Sequence, residues 1–224
     1  MATDITLTNI MGDSDGKGYF ANSISNATKQ LSSHTPGDGS THSLRIIPSA
    51  AGECTLTSTS KALVASHKYY LTFKVKFEAA ISCTFDWYWP IAEPAAVTGL
   101  AASAAADEWI RLSAVFTRES FADGNYPCRW DFNNESTSVA IRFTSCMLFD
   151  LTAAFGAGKE PSKEWMDEHV TAYADSQTVS YYENLGELFT DIANALRTKS
   201  GKTGEIFACD FPERINALVV RSQG

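Results

Sequence analysis

The residues most able to do chemistry stand in one run, Phe85-Asp86-Trp87-Tyr88-Trp89-Pro90. Flat aromatic rings meet the C–H faces of sugars, while carboxylates and guanidinium groups bond their hydroxyls. Tyr88, Asp86, Trp109 and Arg129 form the candidate glycan-binding set on that chemistry. Strand parity assigns Trp87 and Trp89 to the same side as Cys83 and Phe85, as core filling, and leaves Tyr88, Tyr70 and Trp109 to face outward. Asp86 and Asp131 both fall on the wet phase of aromatic-rich strands. They come nearest to the facing carboxylates a glycosidase needs, although strand solubility or a salt bridge is the plainer duty for each. No catalytic residue is assigned, and no enzyme is expected.

Other signatures fail on spacing. Gly201-Lys202-Thr203 would end a phosphate-binding loop, but Leu196 occupies the position that needs the first glycine. Phe155-Gly156-Ala157-Gly158-Lys159 fails at Ala153, so its glycines are expected to turn the chain into the next element. Four histidines, His34, His42, His67 and His169, are scattered without ligand spacing, and no HExxH or GxSxG occurs. The cysteines, Cys54, Cys83, Cys128, Cys146 and Cys209, never form a CxxC and are expected as reduced thiols, with Cys83 and Cys128 acting as small core hydrophobes. Asp13, Asp15 and Asp150 could offer oxygens to a structural calcium without a ligand pattern to support it, so no cofactor and no metal are expected.

These side chains need elements to carry them, and from about residue 43 to 151 the period is two. Tyr69, Leu71, Phe73, Val75 and Phe77 alternate with Tyr70, Thr72, Lys74, Lys76 and Glu78. The alternation returns in 83–89, 110–116, 126–132 and 139–149, with shorter candidates at Ser43–Pro48 and Cys54–Ser58. Seven or so short strands between Gly, Pro, Asn and Asp clusters predict a mostly β fold, an antiparallel jelly-roll β-sandwich. The first forty residues read as loops around weak strands, and Ala95–Ala106 as a long loop or an edge segment. After residue 155 the period changes. Pro161 opens a helix near 161–174 that closes the sandwich domain, residues 1–178. Leu185, Leu188, Phe189, Ile192 and Leu196 then make one apolar helix face, and Asp210-Phe211-Pro212-Glu213 starts a last short helix. A helical hairpin over 183–224 is too small for a core of its own, so its apolar face needs a neighbour, either the sandwich or another chain, and is expected as an assembly interface.

The chain has 224 residues and a net charge of −8, with the acidic excess divided evenly, four in 1–155 and four in 156–224. A binder of nucleic-acid phosphates needs a basic footprint, so no nucleic-acid partner is expected. No stretch is apolar enough to span a membrane as a helix, and no Sec-type leader is visible at the start.

Several runs resemble a known family. They are Asp107-Glu108-Trp109-Ile110-Arg111-Leu112, Gly124-Asn125-Tyr126-Pro127, Phe132-Asn133-Asn134, and above all Asp150-Leu151-Thr152-Ala153-Ala154-Phe155-Gly156-Ala157-Gly158-Lys159-Glu160-Pro161. Together with His42-Ser43-Leu44-Arg45-Ile46, His67-Lys68-Tyr69-Tyr70 and Glu164-Trp165, they resemble the carbohydrate-binding-module-like β-sandwich of phage virion proteins, over residues 40–175. The run 191–204 with Phe211-Pro212-Glu213-Arg214-Ile215 is similar to a short helical module of phage structural proteins, departing from it at Phe207-Ala208-Cys209. The resemblance implies a non-enzymatic virion structural protein, on a tail, baseplate or capsid surface, made in the host bacterial cytoplasm. Its implied partners are other virion proteins, further copies of itself, and host-surface polysaccharide. A purely architectural capsid decoration or cement protein without glycan binding is the alternative, and a glycan-degrading enzyme the remote one. Fold alone does not confer the activity.

Overall fold

The computed structural model describes residues 3–12, 23–49, 52–91, 94–104, 107–119, 121–134, 139–182 and 185–200. By internal contact the chain divides into two units. One is Thr6–Gln177; the other joins the residues through Ile5 with those from Thr178 onward.

The larger unit is an antiparallel jelly-roll β-sandwich. Its first sheet has the order β2 (Ser23–Ser25), β5 (Gly52–Thr57), β12 (Arg129–Asn134), β8 (Ile81–Tyr88), β9 (Val97–Ala104). Its second has the order β10 (Trp109–Thr117), β7 (Lys68–Phe77), β13 (Ile141–Asp150), β4 (Ser43–Pro48), β3 (Ala27–Ser32). Two short pairs complete the strands: β11 (Gly124–Tyr126) with β6 (Lys61–Leu63), and β1 (Thr3–Thr8) with β14 (Ser176–Tyr181). The stretch expected as loop or edge around residue 100 is the edge strand β9, beside β8.

Period two places the core. Phe85, Trp87, Trp130 and Phe132 from the first sheet meet Leu71, Phe73, Val75 and Phe143 from the second, all at most 1% exposed. Their rings pack edge-on or tilted, as between Phe85 and Phe132 (centroids 5.4 Å apart) and between Trp130 and Phe143 (5.7 Å). Trp87 and Trp89 lie inside as expected, and the Trp89 Nε1–H donates to the Tyr126 carbonyl. Cys54, Cys83, Cys128 and Cys146 are free and buried, and burial pushes the Cys54 thiol up to about 11 and that of Cys128 to about 12. Cys209 lies outside the described residues, as do Asp13 and Asp15.

One strand breaks parity. Continuous alternation from Val139 puts Met147 and Phe149 in the core, but the register of β13 on β7 slips between Thr144 and Met147, where Ser145 takes φ 54°. Beyond that bulge Cys146 and Leu148 point into the core instead. Met147 and Phe149 turn to the outer side, still buried, with the Phe149 ring stacked on Tyr70. Asn9 holds the bulge. Its amide oxygen accepts from the Leu148 and Met11 N–H groups (3.0 and 3.1 Å), and its nitrogen donates to the Cys146 carbonyl.

The distinctive run 150–161 is a corner. Asp150 caps α1 (Leu151–Phe155), accepting from the Ala153 N–H at 2.9 Å, and also holds His67 Nδ1 at 2.8 Å. Gly156, at φ 91°, ends that helix with its N–H on the Thr152 carbonyl. Glu160 folds back to accept from the Thr152 hydroxyl (2.7 Å) and the Gly158 N–H (3.0 Å). The helix expected to open at Pro161 is α2 (Lys163–His169), capped by the Ser162 hydroxyl on the Trp165 N–H. In the second unit, α3 (Leu185–Ser200) buries Ala193 and Leu196, with Phe189 and Ile192 packed against them and Leu188 half-buried. The helix expected from Asp210 and the Gly201-Lys202-Thr203 turn lie outside the described residues.

Candidate functional site

Three of the four residues singled out for sugar contact share one surface, the outer face of the first sheet. Antiparallel pairing puts Arg129 directly opposite Tyr88 on one side and Thr57 on the other. One step along, Asp131 faces Asp86 and Thr55; one further, Asn133 faces Thr84 and Glu53. Directly opposed residues bring their Cβ atoms to roughly 4.5–5.5 Å, so these rows form a continuous polar lattice. The face is open toward its edges, where Glu53, Thr84, Thr98, Gly99 and Ser25 are exposed and Tyr88, Asp86 and Asn133 half-buried.

The centre of the lattice is an ion pair bent over a ring. Arg129 Nη2 donates to Asp131 Oδ2 at 2.8 Å, while Nε lies 2.7 Å from Oδ1 without hydrogen-bond alignment. The same guanidinium sits 4.1 Å above the Tyr88 ring centroid, a cation–π contact. Arg129 remains 28% exposed, whereas the Asp131 side chain is 0% exposed beneath it. Burial raises the Asp131 carboxyl above its ordinary range, and the neighbouring Glu53 and Asp86 charges add to that against the pull of Arg129. Burial works against the Arg129 charge too, but Asp131 and Tyr88 hold that group above its ordinary value.

Asp86 is committed differently. Its Oδ1 accepts from the Gly99 N–H at 2.6 Å and its Oδ2 from Asn133 Nδ2 at 3.2 Å. Gly99 lies where the register of β8 on β9 shifts, at φ 65°, so Asp86 staples an irregular edge strand to its neighbour. Asn133 and Glu53 belong to the face but not to the expected set. Asn133 is two residues from Asp131, the spacing that shares a face, and that spacing was the available signal.

Trp109 is not part of this surface. It opens β10, opposite Lys76 on the second sheet, and its ring stacks with His34 at 6.2 Å between centroids. Tyr70, expected to face outward, does point away from the core but is fully buried under α2. Its hydroxyl donates to Asp167 at 2.8 Å and accepts from Arg111 Nη2. Among the expected assembly residues Leu196 is buried and Leu188, Phe189 and Ile192 are partly so; Leu185 begins the helix. Among the described residues no group of three or more His, Cys, Asp or Glu is arranged to hold a metal ion.

No protein-family model matches the chain, and no curated protein matches it. Solved structures do resemble it. The enzymatically active domain of tailspike protein 4 from bacteriophage CBA120 superposes with a TM-score of 0.43 and 14% identity, over 62% of this chain and 21% of that one. A Clostridium thermocellum xylanase fragment carrying CBM22-1 and GH10 modules gives 0.48 and 14%, over 65% of this chain and 29% of the other. The CBM22-1 xylan-binding domain of Paenibacillus barcinonensis Xyn10C gives 0.47 and 9%, over 63% of this chain and 94% of that domain. The match thus spans less than a third of the two longer proteins and nearly all of the single module.

Proposed function

We propose that this chain is a non-enzymatic glycan-binding subunit of a phage particle, and that the outer face of its first sheet receives the saccharide. The observation that carries the reading is the Tyr88–Arg129–Asp131 cluster in an open lattice of acceptors and donors. Arg129 has one further nitrogen, Nη1, beyond the two against Asp131, and Thr55, Thr57, Asn133 and Glu53 surround it with groups suited to hydroxyls. Both oxygens of Asp86 are engaged, and Asp131 is buried beneath its partner, so neither carboxyl is free to protonate or attack a glycosidic bond. This supports binding without turnover. Single sugar contacts are weak, and many copies on one particle raise the effective concentration enough to hold a cell. The virion setting rests on the resemblance of residues 40–175, 191–204 and 211–215 to phage structural modules.

The test is retention on purified host cell-wall polysaccharide and on neutral xylo-oligosaccharides. Arg129→Ala and Tyr88→Ala should each weaken retention about tenfold, a loss of roughly 1.4 kcal/mol. Unchanged retention in both variants overturns the site. Released reducing sugar from labelled glycan, abolished by Asp131→Asn, overturns the non-enzymatic reading.

One observation favours the architectural alternative. The guanidinium already covers one face of the Tyr88 ring, the place a sugar would take. Saturable binding to particles lacking this protein, with no retention on any glycan, would establish that alternative.

A further inference from the structure

The second sheet carries a different row across its outer face. Gln30 on β3 faces Arg45 on β4; Arg45 faces Arg142 on β13; Arg142 faces Lys76 on β7; and Lys76 faces Trp109 on β10. Three cations therefore stand side by side on adjacent strands, which lie roughly 4.8 Å apart. Like charges directly opposite repel, so such a row needs counterions. Lys76 has its own in Asp107, at 2.9 Å, and His34 Nε2 lies 2.6 Å from the same ammonium, which is almost fully buried. Among the described residues the two arginines share one hydrogen-bonded carboxylate, Glu78.

Glu78 meets Arg45 through both oxygens, Oε1 on Nε at 2.6 Å and Oε2 on Nη2 at 2.5 Å, and its Oε1 also accepts from Arg142 Nη2 at 2.8 Å. The remaining bonds are from Arg45 Nη1 to Gln30 and from Arg142 Nη1 to the Ser32 hydroxyl. Arg142 Nε makes none among the described residues. Counting Lys76 and Asp107 with them, three cations meet two carboxylates among the described residues, one positive charge in excess on a chain of net −8. All three side chains remain partly exposed, Arg45 at 27%, Glu78 at 28% and Arg142 at 17%. The planar fork of Arg45 holds the Glu78 carboxylate two-pronged, the geometry an incoming carboxylate takes by displacing it.

We propose that Arg45 and Arg142 form a second ligand site, on the sheet face opposite the Tyr88 lattice, for the carboxylate of an acidic sugar residue. Glu78 acts there as the resident counterion, and Gln30 and Ser32 offer hydrogen bonds to the sugar hydroxyls beside the carboxylate. The site does not depend on the first face binding anything.

The test uses the full chain and three probes: an oligogalacturonate, a neutral xylo-oligosaccharide of equal length, and free galacturonate. The oligogalacturonate should bind and perturb the guanidinium NMR signals of Arg45 and Arg142, and the neutral probe should not. Free galacturonate binding as tightly as the oligomer would overturn the glycan assignment. Arg142→Gln should weaken acidic binding at least tenfold. Glu78→Gln, by removing the competing carboxylate, should strengthen it about fivefold. A purely structural ion-pair network predicts no such gain. Acidic and neutral probes binding alike, or a folded Glu78→Gln variant that binds the acid no better, overturns the proposal. Should a variant unfold, the guanidinium shifts of the unaltered protein decide the matter. Perturbation of Arg129 alone, with Arg45 and Arg142 silent, also overturns it, and perturbation of neither face by a neutral probe bears only on the function proposed above.

Discussion

The two outer sheet faces grow from the same alternation and from similar residue types, yet they meet different fates. On the first sheet the polar side chains lean on one another, Arg129 on Tyr88 and Asp131, Asn133 on Asp86. On the second, outside the partly exposed Arg45–Glu78–Arg142 row, segments from elsewhere in the chain settle over them. Asp38 reaches Lys74 at 2.8 Å, His34 meets Lys76, and Asp167 of α2 takes the Tyr70 hydroxyl. What makes a strand face available is therefore less its own composition than whether a loop or helix is held against it. Lattices satisfied within one sheet keep an accessible surface; those satisfied across elements become interior.

Variants test this contrast in descending order of effect. Asp131→Ala removes a fully buried partner and strands Arg129, which should cost about 2–3 kcal/mol, below the usual range for a broken buried pair because Arg129 is partly in water. Asp107→Ala removes the partner of Lys76, but that carboxylate is 74% exposed and screened by water, so the change should cost far less than Asp131→Ala. Chemical denaturation measures both, and equal costs would break the comparison. Tyr70→Phe should lose about 1–1.5 kcal/mol, since its hydroxyl bridges Arg111 and Asp167 in a buried place. Tyr88→Phe should lose about 0.5 kcal/mol or less, as a surface substitution does. A larger loss at Tyr88 than at Tyr70 would reverse the assignment of open and covered faces.

Acidification gives the finest distinction. Asp131 is raised by burial, so its folded form takes up a proton above the ordinary carboxylate value, and the strain of its charge is relieved as pH falls through that range. Glu78 is lowered by Arg45, and Asp38, despite its burial, is lowered by Lys74, Ser40 and Ser145. Their stabilisation is present above the ordinary value and lost as pH falls through their depressed folded values. Carboxyl carbon NMR should therefore show Asp131 titrating first, with Arg129 freed while the pairs of the second sheet persist. The opposite order would remove the electrostatic difference between the faces.

Much of this architecture was legible in the sequence. Parity alone placed Trp87, Trp89, Phe85 and Phe132 inside and put Tyr88, Asp86, Arg129 and Asp131 on the wet phase of their strands. It failed where the backbone departs from two-residue repetition or where a distant segment intervenes. Trp109 and Tyr88 share an outward phase, but parity within a strand does not say which sheet the strand joins. Tyr70 has the pattern of a surface residue and is covered by a helix nearly a hundred residues later. Asn9 gives no local sign that it will bond two backbone groups on either side of position 147, because those partners are defined only by tertiary pairing. The run 150–161 stood out as the most specific part of the family resemblance, and its residues prove to be spent on capping and turning.

The slip at Ser145 reaches further than one residue. It converts odd positions into even ones for the remainder of β13, so that Phe149 seats Tyr70 and Asp150 arrives aimed at both α1 and His67. Deleting a single amino acid there would leave every hydrophobic residue present but deliver the whole corner, helices included, to the wrong side of the wall. Spacing between Thr144 and Leu151 is thus a stricter requirement on this protein than the identity of almost any side chain within it.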